Sequence, residues 1–413
     1  MRAARTTAIL TVAVALAACT PERGDRVRPI GSEDPLTGIV LLTGQEGIKA
    51  VRAPGGETLF AADRMIATPD GEALYRTTAR SGRTSVLTID PATGATMGRA
   101  TLSGDWQASV ASADGRALAL IDMPRWDDLD PAPRSSTTIL IADPTGTRAP
   151  ERFELLGNFE PEAFSIDRRR LFMIQHVPAL IPSAYRVAFL DLRTGVVSPV
   201  RGGFDTPTER MAGSRLEQLW RPDGEQLFTL YSNRPTRYAE RTGGVVAPHE
   251  GVTFVHVLDV REGWAFCVGL PEEMGDSHER DLAMATTSDG TSLFVVDVRA
   301  GVVARMDTRS LQVPITGRIS AAGIDAAVVS GPDDDILLVA DSGGILRLDP
   351  RTLGSVGHWS LATPPTALGL SADGRHLLAA TSGGVMVVDA STGEQISRIT
   401  VAEPFEIRQI LAA

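Results

Sequence analysis

From about Ile39 onward, apolar residues fall in short Val, Ile, Leu and Ala runs, some alternating with polar residues and some continuous. No stretch carries a sustained helical period, so the pattern predicts β-strands throughout. Two kinds of turn cut the runs. The first sets an acidic residue and Gly ahead of a new apolar run: Pro69-Asp70-Gly71, Ala113-Asp114-Gly115, Pro222-Asp223-Gly224, Ser288-Asp289-Gly290 and Ala372-Asp373-Gly374. Two weaker copies, Ile166-Asp167-Arg168 and Pro332-Asp333-Asp334, bring the series to seven. Asp-Gly suits a tight hairpin because both central residues tend to need positive φ, which Gly adopts freely and Asp better than most.

The second turn follows a strand that ends in Asp, as in Asp90-Pro91-Ala92-Thr93-Gly94, Asp191-Leu192-Arg193-Thr194-Gly195 and Asp389-Ala390-Ser391-Thr392-Gly393. Looser forms begin at Asp143, Asp259, Asp307 and Asp349, and these seven turns alternate along the chain with the seven copies of the first kind. The unit is strand, Asp-Gly turn, strand, loop, strand, Asp turn, strand. Four antiparallel strands per repeat are the signature of a propeller blade.

The two ends of the chain set the blade count. The run from Gly47 to Glu57 aligns without a gap on the run from Gly384 to Glu394, so the N-terminal sheet begins partway through a blade and lacks its innermost strand. Phe405 to Leu411 alternates as such a strand should, and supplies it. The predicted fold is therefore all-β: an eight-bladed β-propeller closed by pairing of N- and C-terminal strands, with seven blades as the alternative. The Pro-Asp-Gly turns resemble the repeats of TolB-like and WD-repeat-like propellers, and Asp-x-x-Thr-Gly after a strand resembles the YVTN or quinoprotein-like repeat. The resemblance covers nearly all of residues 39–413 and implies architecture without activity.

The N-terminus is read differently. Arg2 and Arg5 precede the apolar run Ala8 to Ala15, and small residues follow, as in an export leader. The run is too short to span a bilayer. Leu16-Ala17-Ala18-Cys19 resembles the bacterial lipoprotein signal, which implies that the Cys19 thiol is acylated and becomes the new N-terminus. An ordinary secretory cut beside a cysteine is the alternative. Residues 1–18 are thus the expected signal peptide, 19–38 the lipidated cysteine and a flexible linker, and 39–413 a single propeller domain. Such a linker would span about 25 Å on average and about 60 Å at full stretch. The expected address is the extracytoplasmic side of a bacterial membrane, held by the lipid alone.

Charge excludes some partners. The formal net charge is −11, and loss of residues 1–18 removes two arginines and no acid, leaving about −13. Nucleic acid and anionic lipid are not expected to bind through bulk charge. With Cys19 acylated, Cys267 is the remaining thiol, its flanks Trp264-Ala265-Phe266 and Val268 predict a strand, and a buried structural role is expected. A monomeric ring follows from closure.

Candidate chemistry comes from loop length. The loop joining second and third strands is long in three consecutive blades, at Asp122 to Ser136, Gln175 to Tyr185 and Ser232 to Gly251, which should crowd one sector of one face. Arg125, Trp126, Asp127 and Asp128 on the first, with Arg234, Arg237, Tyr238 and Arg241 on the third, are the candidate binding residues, because Arg and aromatic side chains anchor interfaces. The acidic group at 127, 128 and 130 lacks the spacing and Gly of a calcium loop. The six histidines form no zinc pattern, and no nucleophile elbow, phosphate loop or dinucleotide fingerprint occurs. No catalytic residue, metal or cofactor is expected. The function expected is a lipid-anchored, cell-envelope, non-catalytic module that binds an envelope protein or glycan. The alternative is an enzyme, quinoprotein-like or lactonase-like, with its site at the central channel.

Overall fold

The computed structural model describes residues 36, 38–44, 47–62, 65–122, 132–202, 211–232, 253–275, 277–320, 325–331, 333–371, 373–381, 384–401 and 409–412. They form eight antiparallel sheets in a ring, with two short 3-10 turns, Glu272–Met274 and Glu279–Asp281, between the fourth and fifth. Blade 1 shows the unit: Met65–Ala67, Leu74–Arg80, Arg83–Ile89 and Thr96–Ser103, each paired with the next. Blades 2 to 7 repeat it in chain order, and the fourth blade adds a parallel edge strand, Arg201–Gly202, on its outermost strand.

Blade 8 is stitched from both ends. Gln409–Ala412 pairs antiparallel with Gly38–Gly44, which continues through Gly47–Ala53 to Glu57–Ala62. The register sets Val40 opposite Ala412 and Thr43 opposite Gln409. The expected closure is therefore present, and the innermost strands of neighbouring blades line the ring axis.

Burial explains why the strands read as they do. Gln226–Ser232, Phe254–Asp259 and His376–Thr381 are buried at every position, because both faces of each middle strand pack on neighbouring blades. Phe228, Leu230, Val255 and Val257, for example, meet Leu293 and Val295 of the next blade. Such strands appear as continuous apolar runs. Outermost strands such as Gln312–Arg318 alternate, having one face in water.

The turns correct one expectation. In Pro69-Asp70-Gly71 only the glycine takes positive φ (71°), and its N–H bonds the Thr68 carbonyl at 2.8 Å. Asp70 instead accepts the Glu72 N–H at 3.0 Å. A hydroxyl at the turn entry adds a second brace: Ser112 Oγ donates to Asp114 at 2.8 Å and accepts the Ala117 N–H at 3.0 Å. Where Gly is missing, Arg168 (φ 56°) and Asp334 (φ 55°) carry the left-handed conformation themselves.

In the second turn type the Asp carboxylate caps backbone N–H groups two and three residues on, as Asp191 does for Arg193 (3.0 Å) and Thr194 (2.8 Å). Asp389 accepts the N–H groups of Ser391 and Thr392, both at 2.8 Å, and the Ser391 hydroxyl at 2.6 Å. These bonds hold its carboxyl below the usual range, the Ser391 hydroxyl contributing most. Replacing Asp389 with Ala is expected to cost about 1–2 kcal/mol in urea unfolding, since charge-assisted bonds to backbone are lost at a half-exposed turn. An unchanged midpoint would show that the turn forms without the cap.

Both turn types lie on one face of the ring. A Cβ built on Gly224 would stand 3.9 Å from Pro69 Cβ, so the Asp-Gly turns of blades 1 and 4 approach one another on that face. The loops between second and third strands emerge on the other face. Gly38–Gly44 is a second strand, so the chain enters the ring from the turn face.

Candidate functional site

Blades 3 and 4 place a polar and aromatic cluster just under the loop face. The innermost strand of blade 3, Asn158–Phe164, contains Glu160-Pro161-Glu162, and its register against Arg170–Val177 slips between Pro161 and Ala163. Pro161 has no N–H for the ladder, and the bulge leaves Glu162 without a strand partner. Both carboxylates meet the inner strand of blade 4, Ser214–Trp220.

Glu160 accepts from Arg215 Nη2 at 2.5 Å and lies 3.4 Å from His176 Nε2. Burial alone would raise this carboxyl, but the Arg215 guanidinium and His176 override it and hold Glu160 well below the usual carboxylate range. Glu162 is 4% exposed. Its Oε1 takes bonds from Gln218 Nε2 (3.2 Å) and Thr229 Oγ1 (3.4 Å), while Oε2 is buried without a hydrogen-bond partner. Burial, opposed by Arg215 and assisted by repulsion from Glu160, pushes Glu162 up to about 7. The two carboxyls, separated by Pro161, are thus shifted in opposite directions, because Glu160 is hydrogen-bonded to the Arg215 guanidinium while burial dominates at Glu162.

Beside them runs an aromatic stack. Tyr185 lies on Tyr231 with ring centroids 4.8 Å apart, and Tyr231 on Phe254 at 5.2 Å. All three lie within one residue of the loop-side ends of their strands in blades 3 and 4. Deeper in the same interface, register places Gln218, Thr229, His256 and Cys267 in one row across blade 4. Burial pushes the His256 ring down to about 4, so it is a neutral imidazole at pH 7.

The loops above are tied at their bases. Asn158 Nδ2 donates to the carbonyls of Ala132 (2.7 Å) and Ala179 (3.2 Å), joining the loop of blade 2 to that of blade 3. Arg134 N–H also reaches the Ala179 carbonyl at 3.1 Å. On the blade 3 loop, Leu180 and Ile181 are 58% and 55% exposed between Pro178 and Pro182.

Of the residues expected from sequence, Arg125, Trp126, Asp127 and Asp128 lie outside the described residues, as do Arg234, Arg237, Tyr238, Arg241 and Cys19. Cys267 is on the predicted strand, Trp264–Gly269, but is half-buried, not enclosed, with Sγ 3.2 Å from Met211 Sδ. Glu160, Glu162 and Arg215 were missed. Their signal was two acidic residues alternating within a predicted innermost strand. Among the described residues no three His, Cys, Asp or Glu side chains stand close enough to hold a metal.

No protein-family profile matches this sequence, and no curated protein matches it. Similar solved structures include apo AztD from Citrobacter koseri, with a TM-score of 0.55 and 11% identity over 91% of this chain and 98% of that one. The dihydro-heme d1 dehydrogenase NirN gives a TM-score of 0.52 and 16% identity over 92% of this chain and 77% of that one. The Dos1 propeller gives 0.51 and 12% identity over 90% and 96%. At these identities the likeness is one of fold. The chain is an eight-bladed β-propeller with a charged and aromatic cluster between its third and fourth blades.

Proposed function

We propose that this protein is a lipid-anchored cell-envelope propeller that binds a protein or glycan partner, without catalysis, through the loops of blades 2, 3 and 4. The carrying observation is asymmetry: one face is made of tight capped turns, while on the other the strands of three adjacent blades end where the sequence has its longest insertions, and the Glu160–Arg215 pair lies between two of those blades. Exposed Leu180 and Ile181 give that sector an apolar contact. Arg125, Trp126, Asp127, Asp128, Arg234, Arg237, Tyr238 and Arg241 are its proposed anchors.

Membrane attachment is assigned to Cys19, with residues 1–18 as the leader and 20–38 as the tether. Among the described residues no helix is long and apolar enough to cross a membrane. A tether reaching Gly38 joins the ring on its turn face, which leaves the loop sector free to face away from the bilayer. The Asp-x-x-Thr-Gly turns favour a YVTN-like origin for the repeats.

Replacing residues 233–251 with a short Gly linker, and separately Leu180 and Ile181 with Asp, is expected to abolish partner capture from envelope extract while leaving the circular dichroism spectrum unchanged. Equal capture by wild type and both variants would rule out this surface.

A further inference from the structure

His256 poses a question that packing does not answer. It is 1% exposed, and neither ring nitrogen has a hydrogen-bond partner. A buried polar ring left in that state is costly unless something absent from the protein chain completes it. Directly opposite in the sheet register stands Cys267, and opposed residues put their side chains on one face with Cβ atoms about 5 Å apart. Met211 Sδ lies 3.2 Å from Cys267 Sγ. Met211 is fixed there by two backbone bonds to Tyr185, each 2.8 Å, which draw the segment before blade 4 down onto the blade 3 edge.

We propose that His256, Cys267 and Met211 form a three-coordinate site for a soft monovalent metal ion of the Cu(I) type, seated between blades 3 and 4. Imidazole, thiolate and thioether are a soft donor set that suits Cu(I), whereas Zn(II) prefers four ligands and seldom takes a thioether. The ring offers a neutral lone pair. Cys267, half-buried on the outermost strand, gives the ion a path from solvent that the enclosed ring and thioether lack. On binding, the thiol loses its proton to water as the Cu–S bond forms, and no electron is transferred. This site is separate from the proposed loop surface, and neither depends on the other.

The test uses the full chain carrying Cys19→Ser, so that Cys267 is the sole thiol. Incubated without oxygen with the Cu(I)–bicinchoninate complex, it is expected to withdraw one Cu(I) per chain and to gain near-ultraviolet thiolate-to-copper absorption. Cys267→Ser should remove both signals. His256→Phe and Met211→Leu should each weaken Cu(I) affinity by at least about tenfold. Zn(II) should compete poorly. Failure to take copper from the complex, equal uptake by Cys267→Ser, or uptake indifferent to both His256→Phe and Met211→Leu would overturn the proposal. Because Met211→Leu conserves volume, loss of folding in one variant leaves the other two informative.

Discussion

Removing residues 409–413 is expected to be among the most damaging small deletions this chain can suffer. The deletion takes away the innermost strand of blade 8 and exposes the full edge of Gly38–Gly44. Four register pairs are lost, and at about 1 kcal/mol for each ladder bond the direct cost is roughly 4 kcal/mol, a large share of the roughly 5–15 kcal/mol that holds a domain together. Loss is not confined to one sheet, because the strand also lies against Ala367–Leu370 and His376–Thr381 of blade 7. The bared edge is in addition a template for association between chains. Thermal unfolding should show a fall of several degrees together with concentration-dependent aggregation. A shortened chain that melts with the wild type would mean that the ring closes without its terminal strand.

The second large effect is a pH dependence owed to Glu162. Its folded-state value, about 7, lies above the usual 4.5. Between those values the folded chain keeps a proton that the unfolded chain has released, so stability declines as pH rises through the window and stays lower above it. A shift of this size corresponds to about 3 kcal/mol. Glu162→Gln has no proton to lose. Its stability relative to wild type should therefore grow by about 3 kcal/mol between pH 4.5 and 8, measured by denaturant unfolding. Glu160 has the opposite sign, since its pairing stabilises the fold above the usual carboxylate value and is lost only as pH falls through a lower one. The acid limb should thus survive in Glu162→Gln. Parallel curves for the two proteins across the window would show that Glu162 is solvated in the folded state.

Architecture was legible because its determinants are local and repeated. An Asp that caps backbone N–H groups just ahead of it leaves the same short signature in seven of the eight blades, and the alignment of residues 47–57 with 384–394 marks the split blade in the sequence itself. The Asp-Gly turns were placed correctly but assigned the wrong dihedrals. The distinguishing residue is the hydroxyl two positions before Asp, at Thr68, Ser112, Ser165, Thr287 and Ser371, which makes a wider turn with one left-handed residue. The cluster at Glu160 was not legible. Its members, Glu160, His176 and Arg215, come one or two to a blade and are joined by packing between sheets, which no periodicity reports. The blades that the cluster joins are two of the three with long insertions, although the candidate residues on the first and third of those insertions lie outside the described residues.

The facing positions of Val40 and Ala412 have an engineering consequence. A four-residue Asp-Gly hairpin linking Ala412 to Gly38 would give the split sheet the same connectivity as its seven siblings, and fresh termini could then be cut at Gly104, between the first two sheets. Such a permuted chain would keep every ladder in place, and its refolding would reveal whether the split sheet guides assembly of the ring.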